Sequence, residues 1–455
     1  MAKKIKSNKC NVCGYEMVGF MGKCPECGSF GTFEPIEKDE TLIKRNTGVK
    51  IDCIDLNKVK SQNSQRVMTD INEFDRVMGS GIVKDSVTIL TARPGAGKST
   101  LLLQVSNALA KKGFKVLYAS GEESTSQIKS RADRILPIIE DNLKVLSHNN
   151  MDSVLDTIQD LNAQFVIVDS IQAFTLDAFP TSRAGSPTQT MECAYELVKL
   201  AKDKENPKMI FIVGQMTKED ELAGLRALEH LVDTVLLIEG ESGEELRSLL
   251  TTKNRYGSTG EMGFFNMTEE GMISIDNPSE YFMTTRSREE IVSGSSLTVV
   301  REGTRPILLE IESLVSPSFT PFPSRIGESM KREQLNTLVS ILEQRGQIPL
   351  YDKNIVIKTT GGIKLKEQAS NLAVIMSIVS SVYDKALPDD TIFLADVGLT
   401  GELKRIPALE ARLREADRMG IKTAYISQSQ DIKIKLNNLK LVKKRLLIDV
   451  LKTVF

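Results

Sequence analysis

Four groups of residues in this sequence have the types and spacing that chemistry requires. The first is the stretch Ala92-Arg93-Pro94-Gly95-Ala96-Gly97-Lys98-Ser99-Thr100. It follows an apolar run with Val87, Ile89 and Leu90 and precedes Leu101-Leu102-Leu103, the strand, loop and helix order of a phosphate-binding P-loop. Gly95 and Gly97 carry no Cβ, so backbone N–H groups can turn inward onto phosphate oxygens. The start of the following helix adds a favourable dipole. Lys98 is then placed to bridge the β- and γ-phosphates of ATP, and the Ser99 hydroxyl to complete a Mg²⁺ shell. Ala92 stands where glycine is the usual choice.

The second group sits at the ends of apolar runs. Phe165-Val166-Ile167-Val168 leads into Asp169, the carboxylate expected in the water-mediated Mg²⁺ shell. Val116 to Ser120 leads into Gly121-Glu122-Glu123, which sets a carboxylate beside the γ-phosphate to orient and deprotonate the attacking water. Glu122 is the first choice for that base and Glu123 the second. Met209 to Gly214 ends at Gln215, a neutral hydrogen-bonding group able to sense a γ-phosphate. The third group is Lys253 and Arg255, which fall on one side of an extended chain. In a ring of subunits both can enter a neighbour's ATP site and stabilise charge on the γ-phosphate. The fourth is Cys10-x2-Cys13 with Cys24-x2-Cys27, each pair followed by a glycine, Gly14 or Gly28. That is zinc-ribbon spacing, and four thiolates close a tetrahedral Zn²⁺ shell, which makes the ion structural.

These residues need a scaffold. Strands expected at Val116–Ala119, Val145–Leu146, Phe165–Val168, Met209–Val213 and Thr234–Ile238 alternate with amphipathic helices, the pattern of a parallel, helix-covered sheet whose chemistry gathers at the C-terminal strand ends. A short helix is expected over 69–79, with Thr69 or Asp70 as its cap and Gly79 at its end. The connections 176–188, with Arg183, and 216–226, with Lys218 and Arg226, read as mobile loops beside the nucleotide strands. Residues 34–66 read as a linker with one short strand near 49–54.

Length and composition set outer bounds. A chain of 455 residues suggests about three domains. Lys plus Arg total 59 against 60 acidic residues, so any nucleic-acid surface is local. There is no signal-peptide core and no 18-residue apolar run, which predicts a cytoplasmic protein with no membrane span. Cys53 and Cys193 stand apart from the clustered four, a pattern unlike a disulfide framework.

The two cysteine pairs, the segment 71–83, the P-loop, Ser120 to Ser124, Thr252 to Phe265 and the stretch from Ser293 onward occur in an order that resembles the bacterial RadA (Sms) DNA-recombination and repair proteins. The resemblance covers nearly the whole chain. It implies an α/β fold with a RecA-like P-loop ATPase core (67–285), an N-terminal zinc ribbon (1–34), a linker (35–66) and a C-terminal Lon-protease-like α/β domain (286–455). It further implies a homo-hexamer, like the replicative DnaB helicases, that moves on single-stranded DNA and promotes branch migration of recombination intermediates beside a recombinase partner. By this likeness Lys253 and Arg255 act in trans, and the loops after Asp169 and Gln215 face a central channel. The sequence departs from the family pattern at Ala92-Arg93, where Gly-Glu is more usual, and at Gln215, where histidine is usual. The Lon likeness sets a test, since proteolysis there needs a serine nucleophile and a lysine. Ala369 and Glu410 occupy those positions and Ser370 is one residue off, so no protease is expected. Lys433, Lys435, Lys440, Lys443, Lys444, Arg445 and Lys452 against Asp431 and Asp449 leave the far end at a net of +5, a candidate duplex-DNA surface. A reading from a different class keeps ATP binding but drops translocation, leaving a DNA-binding scaffold whose assembly ATP switches.

Overall fold

The computed structural model describes residues 7–18, 21–36, 55, 57, 66–215, 223–240, 243–284 and 292–455. The chain divides into two compact units, Met1–Asn63 and Ser64–Phe455. In the first, β1 (Ser7–Cys10) pairs antiparallel with β2 (Glu16–Val18) and with β3 (Phe33–Ile36). The two cysteine turns are near copies of each other. Gly14 N donates to Cys10 O and Gly28 N to Cys24 O, each at 2.9 Å, with φ of 79° and 74° at the two glycines. Among the described residues of this unit, Cys10, Cys24 and Phe33 form the buried apolar cluster, a small core of the kind that a staple supports. The strand expected near 49–54 lies outside the described residues.

The second unit opens with β4 (Arg66–Val67), α1 (Asn72–Val77) and β5 (Ile82–Val83). The expected side-chain cap from Thr69 or Asp70 is absent: the N-cap is Ile71, with no side-chain cap bond. Buried Asp75 reaches back instead, accepting from Thr69 N at 2.9 Å and from Asp70 N at 2.9 Å. A carboxylate inside the helix therefore ties down the residues before it.

The nucleotide sheet follows. β6 (Val87–Ala92), α2 (Lys98–Lys111), β7 (Val116–Ser120), α3 (Thr125–Ile135), β8 (Leu143–Ser147), α4 (Met151–Asp160), β9 (Phe165–Asp169), α5 (Pro187–Ala201), β10 (Met209–Gln215), α6 (Ala223–Leu231) and β11 (Thr234–Glu239) alternate along the chain. β12 (Leu246–Asn254), β13 (Met262–Thr268) and β14 (Gly271–Ser274) then add antiparallel strands. The order β14-β13-β12-β11-β6-β10-β9-β7-β8 puts β6 inside six parallel strands. All six residues of β6 are buried, as a strand covered on both faces requires. This is the RecA-like P-loop arrangement, with the ends of β6, β7, β9 and β10 side by side.

Two loop expectations change. The connection 176–188 is braced rather than loose, because buried Gln189 accepts from Leu176 N at 2.8 Å and donates to Phe179 O at 2.9 Å and Ser182 O at 3.1 Å. One amide near the start of α5 thus satisfies three stretches of loop backbone. Of 216–226, residues 216–222 with Lys218 lie outside the described residues, and Ala223 onward, Arg226 included, is helical in α6 rather than loop.

After α7 (Pro278–Tyr281) the chain builds a second sheet from β15 (Ser295–Glu302), β16 (Arg305–Pro317), β17 (Arg325–Gly327), β18 (Lys353–Thr359), β19 (Thr391–Leu394), β22 (Thr423–Ser427) and β23 (Lys440–Lys444), in the order β17-β18-β16-β15-β19-β22-β23. A small ladder joins β20 (Asp396–Val397) to β21 (Leu403–Lys404), and α8 (Arg332–Gly346), α9 (Asn371–Tyr383), α10 (Leu409–Arg418) and α11 (Leu447–Val454) complete it. α9 is buried from Asn371 through Ser380, so it is the core helix of this half.

The two sheets meet at the β15–β16 turn. A Cβ at Gly303, where φ is 63°, would come within 1.5 Å of Gly260 O, so only glycine fits. Arg305 Nη1 reaches Glu73 at 2.8 Å beside it, and Arg76 reaches Glu261 at 3.1 Å. Neighbouring Glu302 is buried, and that burial raises its carboxyl above its ordinary 4.5, with Glu367 and Glu239 adding to the rise and Lys366 opposing it. The folded state therefore holds this proton more tightly than the unfolded chain. The penalty is full above the raised folded value and vanishes as pH falls to about 4.5. Glu302→Gln is accordingly expected to raise the urea midpoint at pH 7, and its advantage over wild type to shrink on titration toward pH 4.5.

Candidate nucleotide site

β6 ends at Ala92 with extended backbone, so the methyl group that replaces the usual hydrogen is buried without strain. The chain then turns through Gly95 (φ 78°) and Gly97 (φ 103°), and Gly97 caps α2. Both torsions lie where a Cβ is penalised, and they turn the loop around the α2 N-terminus. Lys98 Nζ bonds Ala92 O at 2.9 Å and Arg93 O at 3.4 Å, folded back across its own loop. Burial lowers its pKa, opposed by Asp169 and Glu122. Pro94 and Arg93 are exposed on the rim, Ala96 is buried, and Thr100 is half-buried in the first turn of α2.

Ser99 Oγ donates to Asp169 Oδ2 at 2.8 Å. Tyr118 OH donates to the same oxygen at 2.5 Å. Burial raises the Asp169 pKa while those two hydroxyls lower it. A hydroxyl and a carboxylate side by side at the P-loop are a fitting pair for an octahedral Mg²⁺ that keeps most of its waters. The next peptide, Asp169–Ser170, is cis, and the Ser170 hydroxyl bonds Glu122 Oε1.

Glu122 and Glu123 part company. Glu123 is held by both Arg131 nitrogens, at 2.7 and 2.5 Å. Glu122 instead accepts from Gln215 Nε2 at 3.1 and 3.0 Å, at the mouth of the site. Sequence reasoning missed Tyr118, Ser170 and Arg131. A tyrosine in an otherwise aliphatic strand is the one signal available for Tyr118.

Lys253 and Arg255 are brought together, but away from this mouth. Lys253 Nζ bonds Val232 O at 2.9 Å and also Glu229 O, capping the last turn of α6 as a cation should. Arg255 Nη1 bonds Asp233 Oδ1 at 3.2 Å and Nη2 bonds His230 O at 3.3 Å. Asp233, 3% exposed at its side chain, also takes Lys202 at 2.8 Å and Val87 N at 3.0 Å. Val87 begins β6 and Ala92 ends it, so these cations stand at the other end of the strand from the P-loop.

In the first unit the four cysteine sulfurs lie within 4.8 Å of one another. Cys10 to Cys27 is 3.7 Å and Cys13 to Cys24 is 3.5 Å. A tetrahedron of ~2.3 Å Zn–S bonds separates its sulfurs by ~3.8 Å, so the set fits Zn²⁺. Among the described residues no helix is long and apolar enough to cross a membrane.

Comparison with known proteins agrees with this geometry. Residues 57–205 match the AAA domain family and residues 9–35 the rubredoxin metal binding domain. The chain is 43% identical to the DNA repair protein RadA of Bacillus subtilis over 94% of its own length and 93% of that protein's. It is 38% identical to the DNA repair protein RadA of Campylobacter jejuni, covering 96% and 97% of the two chains. With a P-loop ATPase domain, a four-cysteine ribbon and end-to-end similarity at this level, the chain belongs to the RadA family of DNA repair proteins.

Proposed function

We propose that the chain is an ATP-driven DNA motor that works as a ring of identical subunits, each ATP being hydrolysed between two of them. In this reading it moves on single-stranded DNA and drives branch migration of recombination intermediates, as a hexamer that cooperates with a recombinase. The observation that carries it is the position of Lys253 and Arg255. They sit at the start of β6, five residue steps from the P-loop of their own chain, about 17 Å along an extended strand. Cations there serve no triphosphate of their own, whereas a neighbour's site can receive them.

The contacts support the following roles. Backbone amides of the Ala92 to Thr100 loop and Lys98 hold the phosphates, while Ser99 and Asp169 hold Mg²⁺, which neutralises phosphate charge when bound. Glu122, not tied up by an arginine, takes the proton of the water that attacks the γ-phosphate. Gln215, bonded to Glu122, is placed to exchange that carboxylate for a γ-phosphate oxygen and so report nucleotide state. Lys253 and Arg255 of the adjoining subunit stabilise the charge that builds as the bond breaks. Zn²⁺ on Cys10, Cys13, Cys24 and Cys27 is structural. The second sheet is a Lon-like platform without proteolysis, a reading supported by buried Ala369, by Ser370 Oγ donating to Glu367 O at 3.0 Å, and by Glu410 accepting from Lys433 N at 2.9 Å. Its edge strand β23 exposes Lys440 and Lys443, a surface suited to duplex phosphates.

Mixing two dead variants tests the shared site. Lys98→Ala lacks a P-loop lysine but keeps its cations, and Arg255→Ala has the reverse defect. Each alone is expected below about a hundredth of wild-type ATPase activity. An equimolar mixture should recover a readily measured fraction, because some interfaces pair an intact P-loop with an intact Arg255. A mixture as inactive as its components would remove the shared-site reading.

A further inference from the structure

A tyrosine stands in β7 where packing alone would be content with phenylalanine. Every residue of this strand is buried, and Tyr118 is 0% exposed, in the apolar cluster that also holds Leu101 of α2 and Phe165 of β9. A hydroxyl carried into such surroundings is costly unless it finds a partner. Its partner is Asp169 Oδ2, 2.5 Å away. The register explains the reach: Ser120 lies opposite Asp169 across the β7–β9 ladder, and Tyr118, two residues earlier, projects from the same face of β7 as Ser120.

Two hydroxyls serve that one oxygen, since Ser99 Oγ also donates to it at 2.8 Å, and among the described residues no hydrogen bond falls on Asp169 Oδ1. The carboxylate therefore has one oxygen held by the protein and one left over. The two donors differ in what can move them. Ser99 is half-buried in the first turn of α2, next to the loop that meets the phosphates, whereas Tyr118 is fixed in the middle of a buried strand. A phenol is protonated at neutral pH, so it goes on donating to Oδ2 whatever the P-loop does.

We infer that Tyr118 is a positioning residue for the metal site: its hydroxyl fixes the orientation of Asp169 before nucleotide arrives, leaving Oδ1 as the oxygen offered to a water of the Mg²⁺ shell. This deepens the ATPase reading and rests on it. Tyr118 itself touches neither nucleotide nor metal and acts through Asp169 alone. Partners of this kind, which orient a carboxylate for a metal, commonly matter to metal affinity by about tenfold or more.

The test uses the full-length protein with ADP and with Mn²⁺ as the probe, free Mn²⁺ being read by electron paramagnetic resonance. Tyr118→Phe is expected to weaken Mn²⁺ binding to the ADP-loaded protein about tenfold or more, while ADP binds with its wild-type constant when metal is chelated. ATPase activity should fall at low Mg²⁺ and recover as Mg²⁺ is raised, which a general loosening of the fold would not do. Ile167→Val is the packing control: Ile167 is buried and lies opposite Tyr118 across the ladder, carries no donor, and its variant should keep wild-type Mn²⁺ affinity. Because Tyr118 acts through Asp169, adding Tyr118→Phe to Asp169→Asn should cause no further loss of Mn²⁺ binding. That comparison holds even where Tyr118→Phe alone does not fold, since the amide leaves no buried charge to be stranded. Wild-type Mn²⁺ affinity in Tyr118→Phe, equal weakening of metal-free ADP, an equal loss in Ile167→Val, or a further loss in the double variant would each overturn the assignment. Failure of the underlying ATPase reading would look different, since wild type itself would then bind neither ADP nor Mn²⁺.

Discussion

Glu122→Gln is expected to lower kcat for ATP about 10²- to 10⁴-fold, the range that a positioned general base supplies, with little change in nucleotide binding. The amide keeps the size of the carboxylate and loses its capacity to take a proton. Glu123→Gln is the control that gives the result meaning. Its carboxylate is already spent on a bidentate pair with Arg131, at 2.7 and 2.5 Å, and the two side chains are 31% and 24% exposed. Weakening a pair so open to solvent costs about 1 kcal/mol, visible as a small drop in denaturation midpoint, and kcat should stay within about tenfold of wild type because no reacting atom is touched. Steady-state hydrolysis with single-stranded DNA present, together with a nucleotide-binding titration, separates the two variants. If Glu123→Gln proves the dead enzyme and Glu122→Gln the live one, the assignment is reversed.

The contrast between these adjacent glutamates marks where sequence stops being informative. A P-loop, paired cysteine turns and strands alternating with helices are legible because each is local: a few neighbouring residues impose a turn, a ligand spacing or a periodicity. Ser99 beside Asp169 follows at one remove, since the loop that carries β6 into α2 and the last residue of β9 lie at the same C-terminal edge of one parallel sheet. Which glutamate escapes an arginine depends on the position of Arg131, two turns along α3, and no rule of spacing states that. Asp75 reads as an ordinary helix residue, yet its carboxylate accepts from Thr69 N and Asp70 N and anchors the chain ahead of α1, where a side-chain cap from those two residues is expected and none forms. The stretch 176–188 looked loose because its turn residues are local and visible. The brace that holds it, Gln189, is a single polar residue whose burial appears only in three dimensions. Lys253 and Arg255 were legible as a pair, but their anchor, Asp233, is an unremarkable carboxylate between a helix and a strand until the sheet closes around it.

That anchor gives the second large effect. Asp233→Ala removes the acceptor of Val87 N and the counter-charge of both Lys202 and Arg255. The two cations are 35% and 52% exposed at their side chains and can turn to water, but the N–H at the start of fully buried β6 cannot. The loss should be about 3 kcal/mol, mostly the cost of that unpaired donor and of the broken ion pairs. Asp233→Asn keeps an oxygen for Val87 N, so its denaturation midpoint should fall by about a third as much. Hydrolysis, however, should suffer in both, by about tenfold or more, because Arg255 loses the charge that aims it. Mixing then tells aim from damage. Asp233→Asn subunits keep an intact P-loop, so adding Lys98→Ala subunits, whose Arg255 is correctly held, should restore ATPase activity. Adding Arg255→Ala subunits should not, since both partners then lack a working cation. Restoration by both, or by neither, would mean that Asp233 supports the fold of its own chain and does nothing for the site next door.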